Sequence, residues 1–552
     1  MDGEVNSQLR KDRGHSVSAL VRRLACTFLV TLAFGVGVAG QSAEGDAKAR
    51  SALQSAVDAL GGREKLAGMQ KWYLEGKGRE NLSAEMQGAA AEKATWRPHE
   101  EKVAADLAAL AVAWERRTPR VDHTLRWRRM IYQAETFGFA DWNGNFGAVR
   151  KRANPEAYRR GMARRFPHLL LLEALTRATR MSWKEAGARL ADVIEVELPE
   201  AARITLHLSR KPALLHRVEF LAHLPGRGDV QVAWEWMGWK RDAQLGYVPA
   251  SHRVSIGGVL FQEVKYSRYS AALPDLTAEM MVVPQRLLAP ASAAMSTPSV
   301  NVPATEPLAP SPLPATGMVA PGVLVERVGG FVVMFVEFAD FVVAFEAPEV
   351  HPGFEVIAAQ ATPSKLTADA LARATKAFPG KPLRYAVISH HHSDHMGGVR
   401  ALAAAGITIV VAAGDAAAAQ QAIFAKHTLA ADGFAPENAK VVIEKVAPGQ
   451  RHQITDGKRT LEAINVGKNP HTDENLFVWL PAERILIQGD LFYYQEGDAF
   501  PPSGRETMTA YFSRWLQEHS IEAVAIYGVH NDGAAGAAHV AQAAKIAKAK
   551  GL

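Results

Sequence analysis

The sequence predicts two domains of different architecture: an aromatic-rich, mainly antiparallel β domain with helices over 45–285, and a layered α/β domain over 323–552. Three observations carry this reading. Nine of the eleven tryptophans fall in the first region, among alternating or β-prone stretches. After residue 323, β-branched runs alternate with helical patterns, which packs naturally as a mixed α/β domain. Between the two, 286–322 is rich in Pro, Ala, Ser and Thr and poor in charge; its prolines interrupt helix and sheet, so it reads as a linker or surface strap.

Ahead of both domains, residues 1–40 read as a signal peptide. Arg10, Lys11, Arg13, Arg22 and Arg23 precede an apolar run from Leu24 to Gly40, and Gly37, Ala39 and Gly40 offer small residues for cleavage near 39–41. The run is short for a membrane span. Export to the periplasm or the medium is therefore expected, with no stable membrane insertion after processing; an uncleaved anchor is the alternative.

In the first domain, helical patterns fall at 49–60, 101–116 and 155–179, and strands at 71–76, 203–209, 215–221, 230–239 and 254–269. Tryptophans striped along strands are expected to be core rather than pocket lining. His207, His216, His223 and His252 are scattered, and no grouping of histidine with acids is expected here. In the second domain the order is a β-prone run over 323–328 and 331–345, broken by Gly329-Gly330 and Asp340, then a helix at 366–377, a strand at 385–389 and a helix at 396–405. A strand at 407–413, a helix at 415–428 and strands at 441–446 and 461–466 follow. The series ends with a hairpin of 476–480 and 484–488, a buried strand at 524–527 and a helix at 533–549.

Composition narrows the chemistry. The 552 residues are 48% hydrophobic and 22% charged, enough to bury sizeable cores. Against 57 acids stand 63 Lys and Arg, and a net charge of +6 on this length argues for no nucleic-acid partner. The single cysteine, Cys26, excludes an internal disulfide and any cysteine-built zinc or iron–sulfur site. It falls in the leader, so the processed chain would carry no cysteine, which suits an oxidising compartment. Any metal must be held by imidazole and carboxylate.

Those groups concentrate in SHHHSDHMGG, 389–398, directly after the strand-like LRYAVI. Alternation at a strand end puts His390 and His392 on one side, within reach of one ion, while Asp394 and His395 can turn toward a second. His391 should point away or bond behind the ligands. His471, Asp490 and His530 each sit where a strand hands over to a loop, the end of an α/β sheet at which ligands gather.

With these residues the region from about 320 onward resembles the metallo-β-lactamase-fold hydrolases, whose H-x-H-x-D-H motif is matched by His390, His392, Asp394 and His395. The resemblance implies an αββα sandwich with a dinuclear site at one edge of its two sheets. It also implies His471 as third ligand of the first metal, Asp490 as bridge, and His530 closing the second site with Asp394 and His395. Two Zn²⁺ per chain would then activate water for hydrolysis, with Asp394 a possible proton acceptor. Two departures stand out. Where many members carry an aspartate in an early D-x-G, this chain reads AFEAP and offers Glu346. At the bridge it has Asp490, where the clinical β-lactamases have cysteine or serine, which makes it more similar to the family's thioesterases, lactonases and phosphodiesterases. The opening of the first domain, 59–79, resembles curved-sheet domains of periplasmic lipoprotein carriers.

The expected function is a metal-dependent hydrolase of a small-molecule substrate, splitting an ester, thioester, lactone, amide or related bond. An iron-dependent oxygenase on the same fold and a non-enzymatic ligand-binding protein are the alternatives. Phe492, Tyr493, Tyr494, Phe500, Pro501 and Pro502 follow Asp490 as an aromatic lip or as loop packing, and His427 and His519 read as surface residues in helical contexts. No phosphate-binding loop, dinucleotide fingerprint or nucleophile elbow occurs.

Overall fold

A computed structural model describes residues 44–81, 96–119, 125–133, 136–141, 146–151, 155–185, 192–199, 201, 203–275, 280–281, 311–349, 356–358, 365–494 and 505–552. The leader with Cys26 and most of the 286–322 segment lie outside the described residues. Among the described residues, no helix is long and apolar enough to cross a membrane.

The N-terminal domain is built on a 13-stranded antiparallel sheet of two meanders, with a separate two-stranded hairpin of Lys240–Asp242 and Gly246–Val248. The first runs outward from Lys71–Asn81 through Trp96–Asp106, Ala111–Pro119, Leu125–Gln133 and Thr136–Asp141 to the edge strand Phe146–Lys151. Two helices, Pro155–Ala163 and Pro167–Arg177, then carry the chain to the opposite edge, Arg180–Glu185. From there the second meander returns strand by strand until Val259–Ser270 pairs with Lys71–Asn81, so that the first and last strands meet at the centre. Trp72, Trp114, Trp234 and Trp236 are fully buried, and all four lie with Phe166 and Leu170 of the helical connection in one core.

Four expectations for this half need correction. The helix at 101–116 is instead a hairpin of Trp96–Asp106 and Ala111–Pro119, turning at 107–110. Val103, Ala105, Val112 and Trp114 enter the main core, whereas Ala104, Ala111 and Ala113 pack with Tyr73 and Ile131 on the other face. A strand apolar on both faces loses its alternation and imitates a buried helix. The helix at 155–179 is two, because Phe166 is extended and Pro167 opens the second without an N–H to bond backward. The stretch 254–269 is a hairpin, turned at Gly257 and Gly258, both at positive φ. Finally, histidine and acid do gather: Glu101 accepts from Arg165 at 2.7 Å and Trp114 Nε1 at 3.1 Å, with His252 Nε2 3.7 Å away and Arg116 beside it. Burial opposes the charge on Glu101, yet Arg165, His252 and Arg116 hold its pKa well below the usual carboxylate range.

The C-terminal domain is two facing sheets with helices outside. The first has seven strands in the order Gly317–Ala320, Val323–Val328, Phe331–Glu337, Val342–Phe345, Leu383–Val387, Thr408–Ala412 and Ile443–Val446, parallel from Val342–Phe345 onward. The second has five, Arg451–Thr455, Thr460–Asn465, Leu476–Leu480, Ile485–Gln488 and Ala525–Gly528, with only the last pair parallel. Between them lies a dry core including Val325, Met334, Val387, Val410, Ala463, Val478 and Ile487. Helices Leu366–Ala377, Val399–Ala404 and Ala416–Phe424 cover the first sheet, and Glu506–Glu518 and Ala537–Ala549 the second, completing the αββα sandwich. The strand Arg451–Thr455 and the helix Glu506–Glu518 were not expected. The first strand, Gly317–Ala320, lies within the 286–322 segment, and the residues ahead of it strap onto the second sheet, where Tyr527 Oη donates to the Pro314 carbonyl at 2.7 Å.

The domains share a seam. Val356, Ile357 and Ala358, from a C-terminal-domain loop, enter the N-terminal core; Ile357 N–H donates to Gly161 O at 2.8 Å, and its carbonyl accepts from Arg164 at 3.0 Å. His427, expected in a helix, lies beyond the helix end at Phe424 and packs edge-on against His223 of the N-terminal sheet at 4.7 Å. His519 follows its helix directly and stacks on Trp515.

Candidate metal centre

Strand Leu383–Val387 is central in its sheet, with every residue after Tyr385 buried, and it delivers the chain to Ser389 and His390 at the edge facing the second sheet. Leu476 N–H donates to Ser389 O at 2.7 Å and ties the two sheets at this point. His392 caps a single helical turn, Ser393–Met396, whose carbonyl at His395 accepts from Ala347 N–H at 2.9 Å. Other candidate ligands come from the second sheet: Asp490 two residues after Ile485–Gln488, and His530 two after Ala525–Gly528. His471 lies in the loop before Leu476–Leu480, where Asn469 Oδ1 accepts from His471 N–H and Thr472 N–H, each at 2.9 Å.

All seven residues named from the sequence converge in two groups. His390, His392, His471 and Asp490 form one; Asp394, His395 and His530 form the other. His390 Nε2 is 2.9 Å from His392 Nδ1 and 3.2 Å from His471 Nε2. Asp490 stands between the groups, with Oδ2 3.3 Å from His471 Nε2 and Oδ1 3.1 Å from His395 Nε2 and 3.3 Å from His530 Nε2. Asp394 Oδ2 is 3.2 Å from His530 Nε2.

Behind the ligands, Ser389 Oγ lies 2.9 Å from His390 Nδ1, and Glu346 Oε1 lies 3.3 Å from His395 Nδ1. These contacts turn both Nε2 atoms toward the centre. His391 turns away and bonds Asp415 Oδ1 at 2.8 Å. Of the aromatic residues after Asp490, Phe492 stacks on Phe512 and Tyr494 packs on His539, so both fill the loop. Tyr493 faces the site, its ring parallel to His530 at 6.0 Å with Arg505 over it at 4.0 Å. Phe500, Pro501 and Pro502 lie outside the described residues. Sequence reasoning missed Ser389, Asp415 and Arg505; only Ser389 carried a local signal, its place between the strand and the first ligand.

The electrostatics fit divalent cations. Burial, reinforced by neighbouring imidazoles, holds His390 and His392 well below the ordinary histidine range, leaving lone pairs free to ligate. Burial likewise lowers His471 to about 4. In the second group burial opposes charge, but Asp490, Asp394 and Glu346 raise His395 well above its ordinary value, and His530 rises to about 9 mainly through Asp490. Three carboxylates thus demand positive charge, and Asp490 Oδ1 and His395 Nε2 are buried with no properly directed hydrogen bond. A cation held by both groups would answer that demand.

A two-sheet sandwich with paired imidazole–carboxylate clusters at its edge defines a metal-dependent hydrolase. The C-terminal region matches the family model of the metallo-beta-lactamase superfamily over residues 362–548. Among curated proteins none matches the chain. Similar solved structures include the metallo-beta-lactamase FIM-1 from Pseudomonas aeruginosa in its mono-zinc form, 22% identical, covering 42% of this chain and 94% of its own, with a TM-score of 0.29. A metallo-beta-lactamase from Hirschia baltica is 20% identical over 41% of this chain and 94% of its own, TM-score 0.29. One from Pontibacter korlensis is 17% identical over 41% and 93%, TM-score 0.27.

Proposed function

We propose that the protein is an exported, dinuclear zinc hydrolase of small molecules, acting on an ester, thioester, lactone, amide or related bond. The observation that carries this reading is Asp490, whose two oxygens face the two ligand groups separately. Imidazole and carboxylate without thiolate suit zinc in both places. When bound, such ions supply Lewis acidity and bring the pKa of water down to about 7.

The chain's own residues set the stage for that chemistry. His390, His392 and His471 present unprotonated nitrogens, and Asp490 holds the two groups in register. Asp394 is the most open ligand, its side chain 37% exposed, which makes it the candidate acceptor of a proton released during bond cleavage, although His395 and His530 beside it favour its charged form. Tyr493, buried and stacked on His530, shields one flank from bulk water.

Metal analysis of the full chain with a panel of nitrocefin, acyl thioesters, lactones, aryl sulfates and phosphodiesters tests the reading. Expected are about two zinc ions per chain and chelator-sensitive turnover of at least one substrate class. Iron with oxygen consumption, or two zinc ions with no turnover across the panel, would overturn it. Export is read from the leader and predicts a mature N-terminus near residue 41 in the periplasm or medium; N-terminal sequencing of a cytoplasmic product beginning at Met1 would sink that part.

A further inference from the structure

The turn that carries Asp394 and His395 is gripped from outside its own domain. Gly397, the residue after this turn, donates to Ser393 O at 2.8 Å. A side chain at Gly397 would meet Pro225 Cβ at 3.0 Å and Glu349 Cβ at 2.9 Å, besides the Ser393 carbonyl. Pro225 belongs to the tight turn between the N-terminal strands Leu215–Leu224 and Gly228–Met237. That hairpin tip therefore lies so close to the residue that closes the ligand turn that no side chain fits between them.

A polar latch holds the tip in place. Asp229 N–H donates to Lys426 O at 2.7 Å, and its carboxylate accepts from the Thr428 N–H, the Thr428 hydroxyl and the Leu429 N–H. The latched loop is in turn fixed by Arg400, whose guanidinium is buried: Nε donates to Asp432 at 2.6 Å and Nη2 to Phe434 O at 2.6 Å. Arg400 sits on helix Val399–Ala404, which starts two residues after Gly397. Hairpin tip, latched loop, Arg400 and ligand turn thus form a closed circuit of contacts. The first ligand group draws His390 and Asp490 from sheet ends and His471 from a loop, all outside this circuit; His392 alone of that group borders the gripped turn, as its N-cap, whereas Asp394 and His395 lie within the turn itself.

We propose that the hairpin tip of the N-terminal domain is a positioning element of the metal centre, with Asp229 and Pro225 fixing the turn that holds the second ion. This rests on the assignment of Asp394 and His395 as ligands, and it gives the N-terminal domain a role in the centre. In full-length protein, stepwise affinities for two zinc ions are measured by chelator competition for wild type, Asp229→Ala, Asp229→Asn and Thr428→Val. Asp229→Ala should weaken the second ion by about tenfold or more and leave the first within about twofold, and Asp229→Asn, which keeps an acceptor for the backbone donors, should recover most of the loss. Thr428→Val removes one donor and should give a smaller loss at the second ion alone, which keeps the test open if Asp229→Ala fails to fold. Equal weakening of both ions, or unchanged affinity for the second, would overturn the proposal. A wild-type protein that binds two ions without hydrolysing anything would defeat the hydrolase reading and leave this one standing.

Discussion

Glu346 adopts φ 77°, left-handed backbone that a side-chain-bearing residue enters at a cost, and its fully buried carboxylate faces His395 Nδ1. The strain is held by Glu346 N–H bonding to Val387 O at 3.0 Å, so the backbone aims the carboxylate at the back of a ligand. Glu346→Gln should weaken metal binding by about 10- to 100-fold, measured by chelator competition, with the fold intact by circular dichroism. His392→Ala should lose metal and activity together, whereas His391→Ala, which removes a residue facing Asp415 rather than the centre, should retain two ions by metal analysis. Far from the centre, His168 is fully buried: the Leu245 carbonyl can only accept, so Nε2 carries the proton and Nδ1 accepts from Tyr269 Oη. Burial lowers its pKa to about 4. The folded state therefore resists protonation, and stability is full above the unfolded value of about 6.5 and lost as pH falls toward 4. On the order of 3 kcal/mol rides on this group, and His168→Gln should flatten that part of the melting-temperature profile between pH 7 and 4. The seven clustered residues were readable because imidazole and carboxylate chemistry is written in their side chains. Asp415 and Arg505 were not, since each acts through a contact with a residue distant in sequence.

At the scale of elements, most strands and helices of the C-terminal half followed their patterns, the run over 331–345 dividing about Asp340 into Phe331–Glu337 and Val342–Phe345, and failures came where packing overrode local preference. The hairpin of Trp96–Asp106 and Ala111–Pro119 is alanine-rich and helix-prone, yet both faces are covered and its backbone is paired on both sides. Helix Glu506–Glu518 shows the reverse. Thr507, Thr509, Tyr511 and Phe512 favour strand, and Arg505 provides no side-chain cap. Burial of Phe512, Trp515 and Leu516 against the second sheet makes it helical. Trp515 meets Phe477 edge-on at 4.9 Å. Trp515→Ala should therefore cost about 3–5 kcal/mol in urea denaturation and detach the helix rather than merely soften it.

Across the whole molecule, the seam makes two domains behave as one. Ile357 is fully buried in a core to which it does not belong by sequence, so unfolding the N-terminal sheet must expose it. Calorimetry should show a single cooperative transition, and Ile357→Ala should lower it for both domains by about 2–4 kcal/mol; two independent transitions would contradict this. No periodicity could announce such a contact, because the partners of Ile357 lie nearly two hundred positions away. The crossing has a further consequence for how such a chain can change. The 286–322 segment looks like a clean junction, but a catalytic half grafted there from a relative would arrive without the residues that plug the first domain's core and without a matched surface for its hairpin tip. Exchange of halves at that point is penalised, and the two are bound to drift together, each substitution at the crossing answered on the other side.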